Sequence, residues 1–356
     1  MQIDPVVYME WAKTKPKAKI NLSQSGVADL SLNDLGLVTA DLDINGEQAY
    51  GFPPLIEAIA SAYGVEEKNV LPTLGASQAI LFSCAAVIEP GDEVVVEKPA
   101  YEQLLAVPRF FRANIKRLER RFRDGYAVDL DYFRSVLTPR TKLVILTDLH
   151  NPSGVRLPAA TLKELASAAA EEGAMVLVDE IYLEFVNPHR SSFHLADNMI
   201  VASSLTKAYG VGGLRCGWIL APSFLTEKMR NFLDHDNVVG VFIGEQISAK
   251  VFSQLNSLRA KTAPVFEKNL TLLRDFMRGE NKLSWVEPDG GIASFPRIEA
   301  HLESGQLSRL LLERYDTQVV PGHFFEEPKH FRLGFGVPTS VLEEGLWNIR
   351  SVLKDF

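Results

Sequence analysis

The sequence contains little cysteine and no long apolar segment. Its 356 residues include two cysteines, Cys84 and Cys216, which are too few for a disulfide framework or a thiolate metal site. No run approaches the roughly 20 apolar residues of a membrane helix, and the first residues lack the apolar core of a signal peptide. We therefore expect a cytoplasmic protein that has no membrane partner.

Basic charge is scarce relative to acidic charge. The chain has 37 Lys and Arg against 45 Asp and Glu, a formal charge of −8. Because nucleic-acid binding requires a basic face, no nucleic acid is expected as a partner. The basic run at residues 117–123 is short and is interpreted as a solvated face. The seven histidines lack metal-ligand spacing, and Gly-x-Gly-x-x-Gly is absent after the first strand, so neither a metal nor a dinucleotide site is predicted.

Short apolar runs alternate with longer segments of helical periodicity. The predicted strands are residues 69–72, 93–97, 143–147, 174–179, 199–203 and 217–221. The clearest predicted helices between them are residues 55–62, 77–87, 101–111, 129–136 and 158–172. Continuous apolar runs of this kind indicate strands buried on both faces. The alternation therefore predicts an α/β fold with a mostly parallel sheet covered by helices.

The pattern changes near Pro264. Helices are predicted at residues 264–278, 305–315 and 339–354, with a strand-like run at 317–320. This mixture favours a smaller α+β domain that the N-terminal segment joins. We predict a large domain of residues 40–265 and a small domain of residues 1–39 and 266–356.

The segment SSLTKAYGVGGLRCGW, residues 203–218, contains the most chemically suggestive pattern. Lys207 lies in a glycine-rich loop, with Ser204 three residues before it and Arg215 eight residues after it. Glycine lets backbone approach a ligand closely, and a hydroxyl with a guanidinium suits a phosphate. Lys207 would then be left to form a Schiff base with a carbonyl group. By itself, the same segment also fits a surface loop with solvated charges.

The S-x-x-K-(x7)-R-x-G pattern resembles the lysine signature of fold-type I pyridoxal-phosphate enzymes, the aspartate aminotransferase superfamily (class I/II aminotransferases). Five further motifs follow the order of that family. They are LPTLGASQAI at 71–80, KPAYEQL at 98–104, LHNPSG at 149–154, AMVLVDEIYLEF at 174–185 and FRLGFG at 331–336. Each motif alone is weak, but together they extend the resemblance over roughly residues 20–350. The resemblance implies pyridoxal 5′-phosphate as the cofactor, attached to Lys207.

The resemblance also implies a phosphate site. Ala76 and Ser77 would supply amide groups at a helix N-terminus, where anions are favoured. Ser204 and Arg215 would complete the site, and Tyr50 of QAYGFPP resembles the tyrosine that reaches the phosphate of the neighbouring subunit. This last similarity predicts a homodimer with shared active sites. Taken alone, Ser77 equally suits an ordinary helix N-cap.

Four residues are implied to contact the cofactor ring. Tyr101 would stack on the ring, and Asn151 and Tyr182 would hydrogen-bond its phenolic oxygen. Asp179 would pair with the protonated pyridine nitrogen, which keeps the ring an electron sink. Considered singly, these residues also fit half-buried packing, an Asn-Pro-Ser-Gly turn and an aspartate N-cap.

The substrate carboxylate has two implied partners. Arg332 resembles the arginine that binds the α-carboxylate through two parallel hydrogen bonds. Gly26, in INLSQSGV, is the best-placed backbone donor of the loop that closes over this group. Freed Lys207 would act as general base and then acid.

The predicted function is transfer of an amino group from an α-amino acid to a 2-oxo acid through a Lys207 Schiff base. A lyase or cyclase of the same superfamily is the nearest alternative, because the pocket decides which bond reacts. SQSGV and HNPSG faintly resemble capreomycidine-synthase-like enzymes. A third alternative is an effector-sensing regulator domain, but the predicted catalytic-type domain begins too early for a preceding DNA-binding module.

Overall fold

The computed structural model describes residues 3–186 and 190–356. Its helices are α1 (Val7–Thr14), α2 (Pro53–Tyr63), α3 (Ala76–Val87), α4 (Gln103–Phe110), α5 (Leu130–Val136), α6 (Ala159–Glu171), α7 (Ser223–Asp236), α8 (Phe242–Phe252), α9 (Leu255–Arg278), α10 (Ser304–Tyr315) and α11 (Thr339–Leu353). Its strands are β1 (Ile20–Asn21), β2 (Val70–Leu74), β3 (Glu93–Lys98), β4 (Asn114–Glu119), β5 (Thr141–Thr147), β6 (Met175–Asp179), β7 (Met199–Ser204), β8 (Cys216–Leu220), β9 (Leu283–Ser284), β10 (Ala293–Ser294), β11 (Arg297–Ile298), β12 (Thr317–Gln318), β13 (Val320–Pro321) and β14 (Phe331–Gly334).

A seven-stranded sheet forms the centre of the fold. Its strand order is β2-β8-β7-β6-β5-β3-β4. Strand β8 runs antiparallel to its neighbours β2 and β7, and the remaining pairs are parallel. All six strands predicted from the apolar runs are present, so the predicted α/β class with a mostly parallel sheet is confirmed.

Both faces of the sheet are covered, which explains why its strands are continuously apolar. Val94 and Val96 of β3 belong to a core with side chains of α3 and α4. Val95, which points the other way, packs with side chains of α5 and α6. Successive residues of a strand face opposite sides, and here each side meets a layer of helices. No described helix is long and apolar enough to span a membrane.

Strand β4 was not predicted, and the interpretation of residues 117–123 as a solvated face holds for the exposed Arg121 and Arg123 but is wrong for Arg120. This segment begins inside β4, an edge strand in which polar residues outnumber the apolar Ile115 and Leu118. Arg120 is fully buried, and its Nη1 lies 2.6 Å from Oε2 of Glu97, which is also fully buried. The sequence pattern did not separate a charge that pairs inside the protein from one that faces water.

The N-terminal segment packs with the C-terminal part of the chain. Strand β1 pairs in parallel with β12, and Ile20 and Leu22 share an apolar core with side chains of α9, α10 and α11. Helix α9 continues without interruption through residues 265 and 266. The domain limits at 39/40 and 265/266 therefore stay a prediction.

Candidate active site

A cavity of about 410 Å³ lies at the carboxyl edge of the parallel strands, where ligands collect in open α/β sheets. It is large enough for a small-molecule ligand with a substrate. Nine of the predicted site residues line it: Ala76, Ser77, Tyr101, Asn151, Asp179, Tyr182, Lys207, Arg215 and Arg332. The topology thus brings together residues that are up to 256 positions apart, counted from Ala76 to Arg332.

Lys207 follows β7 in the loop before β8. Its Nζ donates to the hydroxyl oxygen of Ser25 at 2.7 Å. Burial, followed by the charge of Arg332, lowers the pKa of Lys207 to about 8 against the opposing charge of Asp179. Roughly a tenth of the amine is consequently neutral at pH 7, and the neutral amine is the nucleophilic and basic form.

The turn between β2 and α3 forms a cradle beside Arg215. Gly75 has φ 84°, and a Cβ there would lie 2.4 Å from Nη2 of Arg215. This guanidinium donates to the carbonyl oxygen of Leu74 at 2.9 Å. The first amide groups of a helix lack partners inside it, so the amides of Ala76 and Ser77 and the nearby guanidinium are donors that suit an anion. Because Gly75 is the N-cap of α3, Ser77 is not the ordinary N-cap considered as an alternative.

Asp179 ends β6 at another wall of the cavity. Burial raises the pKa of its carboxyl group to about 7, although its Oδ1 accepts the amide of Ile181 at 3.1 Å. An isolated buried carboxylate is unfavourable, and a cationic partner in the cavity would stabilise its charged form. Burial likewise raises the pKa of Tyr182 to about 12.

Arg332 of β14 is almost fully buried, and its guanidinium donates hydrogen bonds to two side chains. Its Nη1 donates to Oδ1 of Asn151 at 3.1 Å, and its Nη2 donates to the hydroxyl oxygen of Tyr8 at 2.7 Å. Its Nε is buried without a hydrogen-bond partner. Since a buried unsatisfied donor is costly, a carboxylate that binds this guanidinium would offset part of that cost.

Three predicted site residues do not line this cavity. Ser204 is fully buried at the end of β7, where its hydroxyl accepts the amide of Thr206 at 3.2 Å. Gly26 lies against the backbone of Lys207. Tyr50 lies elsewhere, with its hydroxyl 3.2 Å from Oδ2 of Asp234. The prediction for Tyr50 concerns a neighbouring subunit and remains a prediction.

Sequence reasoning missed several cavity residues. Helix α1 contributes Tyr8, its C-cap residue is Lys15, and Ser25 and Thr206 lie beside Lys207. Gln103 accepts the hydroxyl of Ser77 through its Oε1 at 3.1 Å. Apolar and polar residues that recur every three or four positions in residues 7–15 could have revealed the helix. Its position over the cavity could not be read from that pattern.

Known proteins resemble this chain over most of its length. Residues 19–349 match the family model "Aminotransferase class I and II". The chain belongs to this family. It is 30% identical to capreomycidine synthase of Streptomyces vinaceus over 344 residues, which cover 93% of this chain and 88% of that one. It is 29% identical to an aspartate aminotransferase of Streptomyces avermitilis, covering 86% and 81% of the two chains. A pyridoxal-phosphate-dependent aminotransferase from Streptococcus suis has a TM-score of 0.94 at 26% identity, covering 100% and 99%.

Membership of the class I and II aminotransferases confirms the predicted family, the enzyme class and the cofactor, pyridoxal phosphate. The cavity fits this group on its own geometry. The Gly75 cradle, the start of α3 and Arg215 suit the phosphate, and a cationic ring nitrogen suits the buried Asp179. The amine of Lys207 opens into the same space and suits an aldehyde.

Proposed function

We propose that this enzyme transfers the amino group of an α-amino acid to a 2-oxo acid, with Lys207 as the cofactor attachment point and the proton carrier. The observation that carries the proposal is that the Lys207 amine, the Asp179 carboxyl and the Arg332 guanidinium line one cavity. These groups supply a base, a partner for a cationic nitrogen and a carboxylate receptor.

Each residue has a separate task in this proposal. Ala76, Ser77 and Arg215 hold the phosphate, and Tyr101, Asn151 and Tyr182 hold the ring together with Asp179. When bound, the cofactor supplies an electron sink that stabilises negative charge developing at the substrate Cα.

Arg332 orients the substrate through its carboxylate, helped by the loop that contains Gly26. Lys207 Nζ then accepts the Cα proton. A base is most effective when its pKa lies near the working pH, and the lowered pKa of Lys207 meets this condition. The hydroxyl of Ser25 positions the amine, since the hydroxyl oxygen accepts a hydrogen bond from Lys207 Nζ.

We further infer a homodimer in which Tyr50 reaches the phosphate of the partner subunit. A group of apolar side chains near Tyr50 is exposed in the single chain: Val238, Val239, Val241 and Ile243. Contiguous exposed apolar residues are typical of an interaction surface. Burial of these residues against a second copy would place both Tyr50 side chains at the interface.

A cytoplasmic location is also part of the proposal. Both cysteines, Cys84 and Cys216, are free and buried. Reduced thiols are the ordinary state in the cytosol, whereas secreted proteins favour disulfides. Fractionation of cells that produce the tagged protein tests this location.

The test is the visible absorption spectrum of the purified protein with pyridoxal phosphate, before and after a panel of amino acids. We expect a band from the lysine-attached cofactor that a suitable amino acid abolishes, with the matching 2-oxo acid as product. Lys207→Ala should still bind the cofactor while turnover falls by about 10⁴-fold. Normal turnover in this variant would sink the assignment of Lys207.

A cyclase is the second candidate, favoured by the similarity to capreomycidine synthase. The same experiment separates the two functions. A cyclic product without a 2-oxo acid, identified by mass spectrometry, assigns the cyclase function. Stoichiometric 2-oxo acid assigns transamination.

A further inference from the structure

Helix α1 and its C-cap residue form one wall of the cavity, whose lining side chains include Tyr8 and Trp11 of the helix and Lys15 directly after it. Their spacings of three and four residues place them on one face. The start of the helix is fixed by Glu102, whose carboxylate accepts the amides of Val7 at 3.1 Å and Tyr8 at 2.6 Å. The helix is thus anchored directly to the segment that carries Tyr101, which makes its inner face a defined part of the site.

Lys15 is a further basic side chain in this cavity, beside Lys207, Arg215 and Arg332. Its Nζ donates to the hydroxyl of Ser23 and lies 4.9 Å from the ring centroid of Trp11. The nearby polar wall contains Asn21, whose Oδ1 accepts the hydroxyl of Ser23 at 2.6 Å. Lys15 forms no ion pair with a carboxylate of residues 3–186 or 190–356. Burial, followed by the charge of Arg332, lowers its pKa to about 8.

In the proposed function Lys207 carries the cofactor and Arg215 holds its phosphate, so Arg332 and Lys15 remain to face the substrate. One substrate carboxylate neutralises only one of these two. Arg332 already lies beside Asn151, where the α-carboxylate is expected. A partly buried ammonium is stabilised when an anion enters beside it. The α-carboxylate, bound at Arg332, thus leaves Lys15 without an anionic partner.

We propose that Lys15 binds an acidic group on the side chain of the substrate, so that this enzyme acts on dicarboxylic amino acids and 2-oxo acids. The inference rests on the proposed function and specifies its substrate class. A guanidinium or ammonium side chain would meet the like charge of Lys15 and is disfavoured. A purely apolar side chain would leave the positive charge of Lys15 without an anionic partner.

The test uses the cofactor-loaded enzyme and non-reacting acids. Glutarate and succinate carry two carboxylates and butyrate carries one, and their dissociation constants are measurable by calorimetry. In Lys15→Met, which keeps the length of the side chain but removes its charge, we expect glutarate and succinate to bind about tenfold more weakly. Butyrate should change less than about twofold, and Lys15→Arg should retain most of the dicarboxylate affinity.

Lys13→Met is the matched control, because Lys13 is exposed on the same helix and does not line the cavity. If Lys15 has only a structural role, Lys15→Met should weaken the binding of butyrate and glutarate equally. That result would overturn the proposal. Unchanged glutarate binding in Lys15→Met would overturn it as well. Failure of this proposal is distinguishable from failure of transamination: an enzyme that converts neutral amino acids and ignores Lys15→Met retains the proposed function. If dicarboxylates bind in a manner that depends on Lys15 but no turnover occurs, the result supports the Lys15 binding site and not the proposed transamination.

Discussion

Arg332 Nη1 lies 3.1 Å from Oδ1 of Asn151, although 181 residues separate the two in the chain. The contact joins β14 to the loop after β5, so a carboxylate receptor and a ring-contacting amide occupy one wall of the cavity. Tyr8 completes this arrangement from helix α1. The substrate must therefore displace or share the contacts of Arg332.

The first prediction concerns Arg332. Arg332→Leu removes the charged partner of the α-carboxylate, and we expect kcat/KM for the best amino acid to fall by about a hundredfold or more. Steady-state kinetics measures this change, and cofactor absorption shows whether the site remains assembled. Arg350→Leu, on helix α11 and outside the cavity, is the control and should retain its activity. Loss of kcat/KM below about threefold would contradict the role of Arg332.

The second prediction concerns the pH dependence of Lys207. Its pKa is lowered from 10.5 to about 8, and only the neutral amine attacks an aldehyde. The rate at which pyridoxal phosphate attaches to the apoprotein should therefore rise with pH and reach half its maximum near pH 8. Stopped-flow absorption measures this rate.

Two variants check the cause of this shift. Arg332→Leu removes a positive charge and should raise the midpoint, whereas Asp179→Ala removes a negative charge and should lower it. A midpoint near the ordinary lysine value in the unaltered protein would show that burial does not control this amine.

The third prediction concerns the cradle at Gly75. Gly75→Ala places a Cβ 2.4 Å from Nη2 of Arg215, so the guanidinium must move from the anion site. We expect the dissociation constant of pyridoxal phosphate to rise about tenfold or more, measured by fluorescence titration of the apoprotein. Gly91→Ala is a matched control because Gly91 also has positive φ but no atom within 4 Å of the added Cβ. Equal affinities in the two variants would refute this role of Gly75.

The fourth prediction concerns the buried Arg120–Glu97 pair. Arg120→Met leaves the Glu97 carboxylate buried without its cation, and we expect the free energy of unfolding to fall by about 3–5 kcal/mol. The loss should be smaller at lower pH, because burial already raises the pKa of Glu97 and protonation removes its charge. Urea unfolding at two pH values measures both effects.

The double variant Arg120→Met with Glu97→Gln provides the test of cause. It should recover much of the lost stability, since no unpaired charge remains. Arg123→Met changes an exposed arginine nearby and should alter the free energy of unfolding by less than about 0.5 kcal/mol. A similar loss in Arg120→Met and the double variant would attribute the effect to packing.

Much of the fold was predictable because its central strands are buried on both faces. Val94, Val95 and Val96 make a continuous apolar run, and such a run has few alternatives to a covered strand. Strand β4 escaped prediction because an edge strand keeps polar residues on its open side. The position of helix α1 over the cavity could not be predicted, because periodicity within a helix does not show which distant segment it packs against.

The sequence by itself determined the chemical groups and their order: Lys207 in a glycine-rich loop, Asp179 at the end of an apolar strand and Arg332 near the C-terminus. These features are local, because they follow from neighbouring residues. Only the tertiary structure decided that Arg120 is buried and that Lys15 faces the same cavity as Arg332. Burial and charge proximity depend on contacts between distant segments, and a linear pattern of residue types does not encode which of its charges will lose their water.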